Sequence, residues 1–199
     1  MAAVFLITGR GGSLEHGLGA HLSSQFGAVT GISLSAEWLR QSHDDQIAAV
    51  MKCVAEAEAA RAPLIANSYG AYLLLLALLR RPPIDTSVML LSPVLGTTVV
   101  SGTYFRPPDA RLFATAIEGA LPKPRWLEIY MGEQDSGYMP NVWEKLIEAL
   151  RPDRHALFEG EGHTLSKELI EAQVEAFVER RKRKPERNGH YPCIPKHGV

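Results

Sequence analysis

The sequence predicts an α/β protein built on a six-stranded, mostly parallel sheet with helices on both faces. Three observations lead there. Short apolar runs alternate with longer amphipathic stretches almost without interruption. The stretches between them are long enough to be the crossover helices that parallel neighbours require. A chain of 199 residues with 46% hydrophobic content also fits one domain with a sizeable core. Residues 1–181 are assigned to that domain, and 182–199 to a basic, proline-containing tail expected to be flexible.

Taken in order, Ala3 to Thr8 reads as the first strand, which runs into Gly9-Arg10-Gly11-Gly12 ahead of a helix over Leu18 to Phe26. Ala28 to Leu34 is the second strand. Ser42, with Asp45 three residues on, reads as a capping box, and the helix it opens places Ile47, Val50, Met51 and Val54 on one face. Pro63 to Asn67 is the third strand. The apolar run Ala71 to Leu79 after it is a buried helix, about half the length of a bilayer span, that Pro82-Pro83 ends. Thr86 to Leu91 is the fourth strand, closed by Ser92-Pro93.

Val94 to Pro124 is the least regular part, with one helix expected from Asp109 to Ala120. Arg125 to Met131 is the fifth strand. A helix opening near Pro140, where proline suits the first turn, turns Val142, Leu146 and Leu150 inward. Arg154 to Glu159 is the sixth strand, and a last helix from Ser166 to Arg181 carries the stripe Ile170, Val174, Phe177 and Val178.

Composition narrows the functional classes. The net charge of −1 lacks the basic stripe that nucleic-acid binding needs. Ala2 to Ile7 has no positive flank and is too short for a signal sequence, so neither export nor a membrane partner is expected. Cys53 and Cys193 are too few for a disulfide framework and no metal-ligand spacing occurs. We therefore expect a cytoplasmic protein without metal or cofactor.

The informative stretch is Pro63-Leu64-Ile65-Ala66-Asn67-Ser68-Tyr69-Gly70. A strand that turns at once into a helix, with serine on the corner and small residues two positions to either side, is a nucleophile elbow. Ala66 and Gly70 are small because strand and helix backbones pass too close for larger side chains. The same stretch also fits an ordinary junction with a serine N-cap. Two later residues favour the elbow. Asp135 follows the fifth strand in Gly132-Glu133-Gln134-Asp135-Ser136-Gly137, and His163 follows the sixth in Gly160-Glu161-Gly162-His163. In an open parallel sheet all three lie at the carboxyl edge, where ligands bind.

Serine, aspartate and histidine in this chain order resemble the α/β-hydrolase family, in its small form without a large cap. The resemblance runs from about Ala3 to Arg180. It implies a catalytic triad of Ser68, Asp135 and His163, and a sheet ordered 2-1-3-4-5-6 that lacks the family's first two strands. It also implies an oxyanion hole formed by the backbone N–H groups of Arg10 and Tyr69. Thr8-Gly9 stands where the family commonly has His-Gly, and Ala66 where it most often has glycine. Tyr104, Phe105 and Phe113 fall where the family places pocket elements and are candidate substrate-pocket residues.

The implied activity is that of a serine esterase on a small acyl substrate. A thioesterase or acyltransferase with the same triad, or a non-catalytic binding protein on this scaffold, are the alternatives. A dinucleotide site fits less well. Position 14 is Leu where a third glycine is required, and no acidic residue ends the second strand.

Overall fold

In the computed structural model the described residues are 4–80, 84–95, 98–100, 103–108 and 122–183. The chain runs β1 (Val4–Arg10), α1 (Leu18–Phe26), β2 (Val29–Leu34), a 3₁₀ turn at Trp38–Arg40, α2 (His43–Ala59), β3 (Leu64–Asn67) and α3 (Tyr69–Leu79). It continues through β4 (Ser87–Leu91), β5 (Thr98–Val100), β6 (Thr103–Phe105), β7 (Trp126–Gly132), α4 (Pro140–Leu150), β8 (Arg154–Phe158) and α5 (Lys167–Arg183).

Six strands form one sheet in the order β2-β1-β3-β4-β7-β8, and every neighbouring pair is parallel. This is the expected order, with β7 and β8 as the fifth and sixth strands. The chain steps outward from β1 to β2, then returns past β1 and proceeds in the other direction. Because crossovers are right-handed, that reversal moves the helices to the opposite face. Leu22 of α1 and Val174, Phe177 and Val178 of α5 pack with Val4, Leu6, Ile65, Met89 and Leu91 on one side. Residues of α2, α3 and α4 pack with Phe5, Ile7, Leu64, Val88, Leu90 and Ile129 on the other. Consecutive strand residues thus feed alternate layers, which explains why the strands are apolar throughout.

Helix α3 is the centre of the larger layer. Every residue from Tyr69 to Leu78 is buried, so its sequence is apolar all round rather than striped. The capping box at α2 also forms. The Asp45 N–H donates to the Ser42 hydroxyl at 3.2 Å, and that hydroxyl donates to the Asp45 carboxylate at 2.6 Å.

Three details depart from the sequence reading. Thr98–Val100 and Thr103–Phe105 pair as a small antiparallel hairpin within the segment read as irregular. In α4 the inward residue of the first turn is Trp143, with Leu146 and Leu150, while Val142 is only partly buried. Helix α5 continues to Arg183, two residues beyond its expected end. The helix expected over Asp109–Ala120 lies outside the described residues, as does the tail from residue 184.

One charged side chain sits inside the sheet. Glu128 of β7 is fully buried, and its carboxylate accepts hydrogen bonds from Trp126 Nε1 at 2.8 Å and the Tyr130 hydroxyl at 2.7 Å. It also accepts a fork of two from Arg180 of α5, at 3.0 and 2.6 Å. Burial first, and the bond to Glu128 second, raise the Tyr130 hydroxyl above its ordinary range and keep it a donor. The pair fastens the last helix to the sheet. Removing one partner of a buried pair leaves a stranded charge, so Arg180→Met lowers unfolding free energy by roughly 3 kcal/mol. Urea denaturation measures this, and the double variant Glu128→Gln/Arg180→Met, which removes the charge but keeps an acceptor for Trp126 and Tyr130, recovers much of the loss.

Cys53 is buried on α2, and burial, aided by Glu56, pushes its thiol up to about 12. Its thiolate is therefore scarce at neutral pH. A disulfide reagent at pH 8 is expected to modify Cys53 only at the rate at which the protein opens, and at once in denaturant.

Candidate active site

Ser68 stands at the junction of β3 and α3 with φ 52° and ψ −119°, outside the regions that L-residues favour. It occupies the N-cap position of α3 yet makes no side-chain capping bond, so its hydroxyl is available for something else. The backbone is held from both sides. The Ser68 N–H donates to the Leu91 carbonyl at 2.8 Å, and the Ser68 carbonyl accepts from Tyr72 N–H at 3.1 Å. Gly70 explains how the turn stays so tight, because a Cβ there would lie 2.3 Å from the Thr8 carbonyl oxygen and 2.7 Å from Ile7 Cγ2. Ala66 fits with no exposed surface.

The Ser68 hydroxyl lies 2.8 Å from His163 Nε2, across 95 residues of chain. His163 Nδ1 in turn lies 2.8 Å from Asp135 Oδ2. A carboxylate only accepts, so Nδ1 carries the ring proton and Nε2 is left to receive the serine hydroxyl's hydrogen. The other Asp135 oxygen accepts the Gly137 N–H at 2.7 Å. Asp135 is therefore a turn aspartate and the histidine's partner at once, one oxygen for each task. Its side chain is fully buried, whereas that of His163 is 15% exposed. His163 reaches the cleft while Asp135 is shielded from water.

Short loops bring Asp135 and His163 together. The Gln134 N–H donates to the Glu161 carbonyl at 2.8 Å, linking the loop after β7 to the loop after β8. Gly132, the last residue of β7, permits this contact. A Cβ on it would lie 2.3 Å from the Glu161 carbonyl oxygen and 2.4 Å from that of Gly162. Glu161 also accepts from the Ser166 N–H and hydroxyl, both at 2.6 Å, pinning the histidine loop to the start of α5.

Arg10 and Tyr69 both line the cleft beside Ser68, together with Gly9, Asn67, Ser92, Val94 and Thr164. The cleft encloses about 220 Å³. A neighbouring hollow of about 340 Å³ shares Gly9, Arg10 and Asn67 and is lined by His16. Thr8, which replaces the histidine of the resembling family, has its own use. Its buried hydroxyl accepts the Leu34 N–H at 2.9 Å and donates to the Gly9 carbonyl at 3.1 Å, where the β1–β2 register shifts. It thus fixes the start of the Arg10 loop. Tyr104 and Phe105 lie on β6, and the described structure extends no further than the backbone there. Phe113 lies outside the described residues. Among the described residues no group of histidine, cysteine or acidic side chains is arranged to hold a metal.

Sequence reasoning named Thr8, Gly132 and Ser92 without seeing the hydrogen bonds of Thr8, the close approach at Gly132 or the burial of Ser92. Glycine at a strand end directly before a loop was the available signal for Gly132.

No protein-family model and no curated protein sequence matches the chain. Its structure does resemble solved ones. Est1E from Butyrivibrio proteoclasticus, also determined with ferulic acid bound, matches with a TM-score of 0.65 at 13% identity, over 92% of this chain and 88% of that one. A monoacylglycerol lipase from Paleococcus ferrophilus matches at 0.59 and 15%, over 89% and 94%. The peroxisomal alpha-beta-hydrolase Lpx1 from Saccharomyces cerevisiae matches at 0.61 and 11%, over 89% and 75%. The chain has the α/β-hydrolase fold.

The contact at Gly132 yields a direct test of how the histidine is placed. Gly132→Ala forces the His163 loop away from β7 and breaks the Nδ1–Asp135 bond. The downfield proton NMR signal of that ring N–H should vanish while the far-ultraviolet circular dichroism stays unchanged.

Proposed function

We propose that the protein is a serine hydrolase of carboxylesterase type, cleaving a small ester or related acyl substrate through an acyl-enzyme. The observation that carries this reading is the unbroken relay from Ser68 through His163 to Asp135, with 2.8 Å at each step. A serine held in a strained conformation with its hydroxyl aimed at an imidazole nitrogen is set up as a nucleophile.

In this mechanism His163 Nε2 takes the Ser68 proton as the oxygen attacks the acyl carbon. Asp135 keeps the ring oriented and stabilises its charged form. The backbone N–H groups of Arg10 and Tyr69 receive the developing oxyanion, aided by the positive end of α3. The leaving group departs with the proton from His163, and water then releases the acyl group by the same steps in reverse order. No step calls for a cofactor.

The cleft suits a small-molecule substrate. With the adjoining hollow of about 340 Å³, the cleft of about 220 Å³ falls within the roughly 300–1,000 Å³ range of small-molecule pockets. The similar monoacylglycerol lipase is, by its name, an ester-cleaving enzyme of the same fold. No helix among the described residues is long and apolar enough to cross a membrane.

A fluorophosphonate probe tests the reading. It is expected to label the wild-type protein once, at Ser68, and to leave Ser68→Ala unlabelled. The same variant should lose roughly 10⁶-fold in kcat on a p-nitrophenyl ester. A wild-type protein that neither labels nor turns over such an ester would instead be a binding protein on this scaffold. Because the base must be neutral to accept a proton, kcat/KM should fall on acidification, and a flat profile would remove His163 from the role.

A further inference from the structure

Ser92 is a buried side chain that the mechanism above leaves unused. Asn67 of β3 and Leu91 of β4 are register partners, so Ser68 and Ser92 are the next residues of adjacent strands. Both leave their strand through positive φ, 52° at Ser68 and 42° at Ser92. The Ser92 backbone is fixed, its N–H donating to the Tyr130 carbonyl at 2.8 Å. Its side chain is not. The residue is 1% exposed and lines the cleft, yet its hydroxyl has no hydrogen-bond partner among the described residues. Buried hydroxyls are nearly always satisfied, so an orphan beside the nucleophile points to a group that arrives during the reaction.

Strand order says on which side that group arrives. Arg10 ends β1, on one flank of Ser68, while Ser92 follows β4, on the other. Asp135 and His163, after β7 and β8, reach in from the Ser92 side. An oxyanion directed at the Arg10 loop puts the leaving group on the opposite side, under His163, because His163 protonates it. The water of the second half-reaction enters where the leaving group left. A hydroxyl this enclosed has no room for a substrate tail. Its free donor and acceptor suit one water, which needs two to four polar partners.

We propose that the Ser92 hydroxyl is a positioning residue for the water that releases the acyl group, an inference that rests on the serine-hydrolase reading. The water oxygen bonds to the acyl carbon, and one of its protons passes to His163 Nε2. The tetrahedral intermediate then collapses, the bond from carbon to Ser68 Oγ breaks, and His163 returns the proton to that oxygen. A carboxylic acid leaves and Ser68 is restored.

The test uses Ser92→Ala and Ser92→Gly, the glycine being suited to the positive φ in case alanine folds poorly. With p-nitrophenyl acetate, kcat/KM reports acylation alone, while kcat reports release of the acyl group when release is slow. In both variants kcat and KM should fall together, on the order of 10-fold, with kcat/KM and the fluorophosphonate labelling rate unchanged. The acetyl-enzyme should accumulate in the steady state, visible as added mass on the intact protein. A merely structural role would lower kcat/KM and the labelling rate, and that result overturns the proposal. So does a pair of variants indistinguishable from the wild type. If the wild-type protein itself neither labels nor releases p-nitrophenol, the hydrolase reading fails and this inference with it.

Discussion

A side chain at φ 52° crowds its own backbone, so Ser68 keeps that conformation only because its neighbours leave it no other. Such a residue costs roughly 1–3 kcal/mol. The Leu91 carbonyl holds its N–H, the first turn of α3 holds its carbonyl, and the absent side chain of Gly70 lets α3 sit against the end of β1. Loosening the turn would return the serine to an ordinary capping role. The buried environment of α3 and the central place of β3 make that costly, because the elbow cannot relax without opening the middle of the sheet.

The rest of the site is arranged around that fixed corner by strand ends alone. Topology puts Arg10, at the end of β1, on one flank and Asp135 and His163 on the other. Positioning by strand termini is stiff. The loops after β7 and β8 are short, bonded to one another through Gln134 and Glu161, and anchored at the start of α5. Asp135 gains from the same economy. Its carboxylate shapes its own turn through Gly137 and orients His163 with the oxygen left over.

Much of this was legible in the residues. The layered sheet follows from apolar runs separated by helices, and the elbow from small residues flanking Ser68. Asp135 and His163 stood out because each follows a strand in a glycine-flanked loop. What escaped has physical reasons too. The hairpin of Thr98–Val100 and Thr103–Phe105 is three residues per strand, too short for alternation to register, although Ser101-Gly102 between β-branched and aromatic triplets is a hairpin signal. Val142 and Trp143 both keep helical spacing to Leu146 and Leu150, and only packing selects Trp143. Thr8 read as a departure from a family pattern because its use lies in a register shift between parallel strands. Ser92 precedes proline, which ordinarily means extended backbone. Its positive φ comes from the tertiary structure.

The tie between Glu128 and Arg180 has a consequence for how the molecule is made. A ribosome releases the elbow early, and the sheet as far as β7 precedes its cation by 52 residues. Until α5 emerges, the Glu128 carboxylate lacks the two-point partner it has in the folded molecule. The histidine loop lies in the same late portion, between β8 and α5. Docking of the final helix therefore brings Arg180 to Glu128 and anchors the His163 loop through Ser166 in one event.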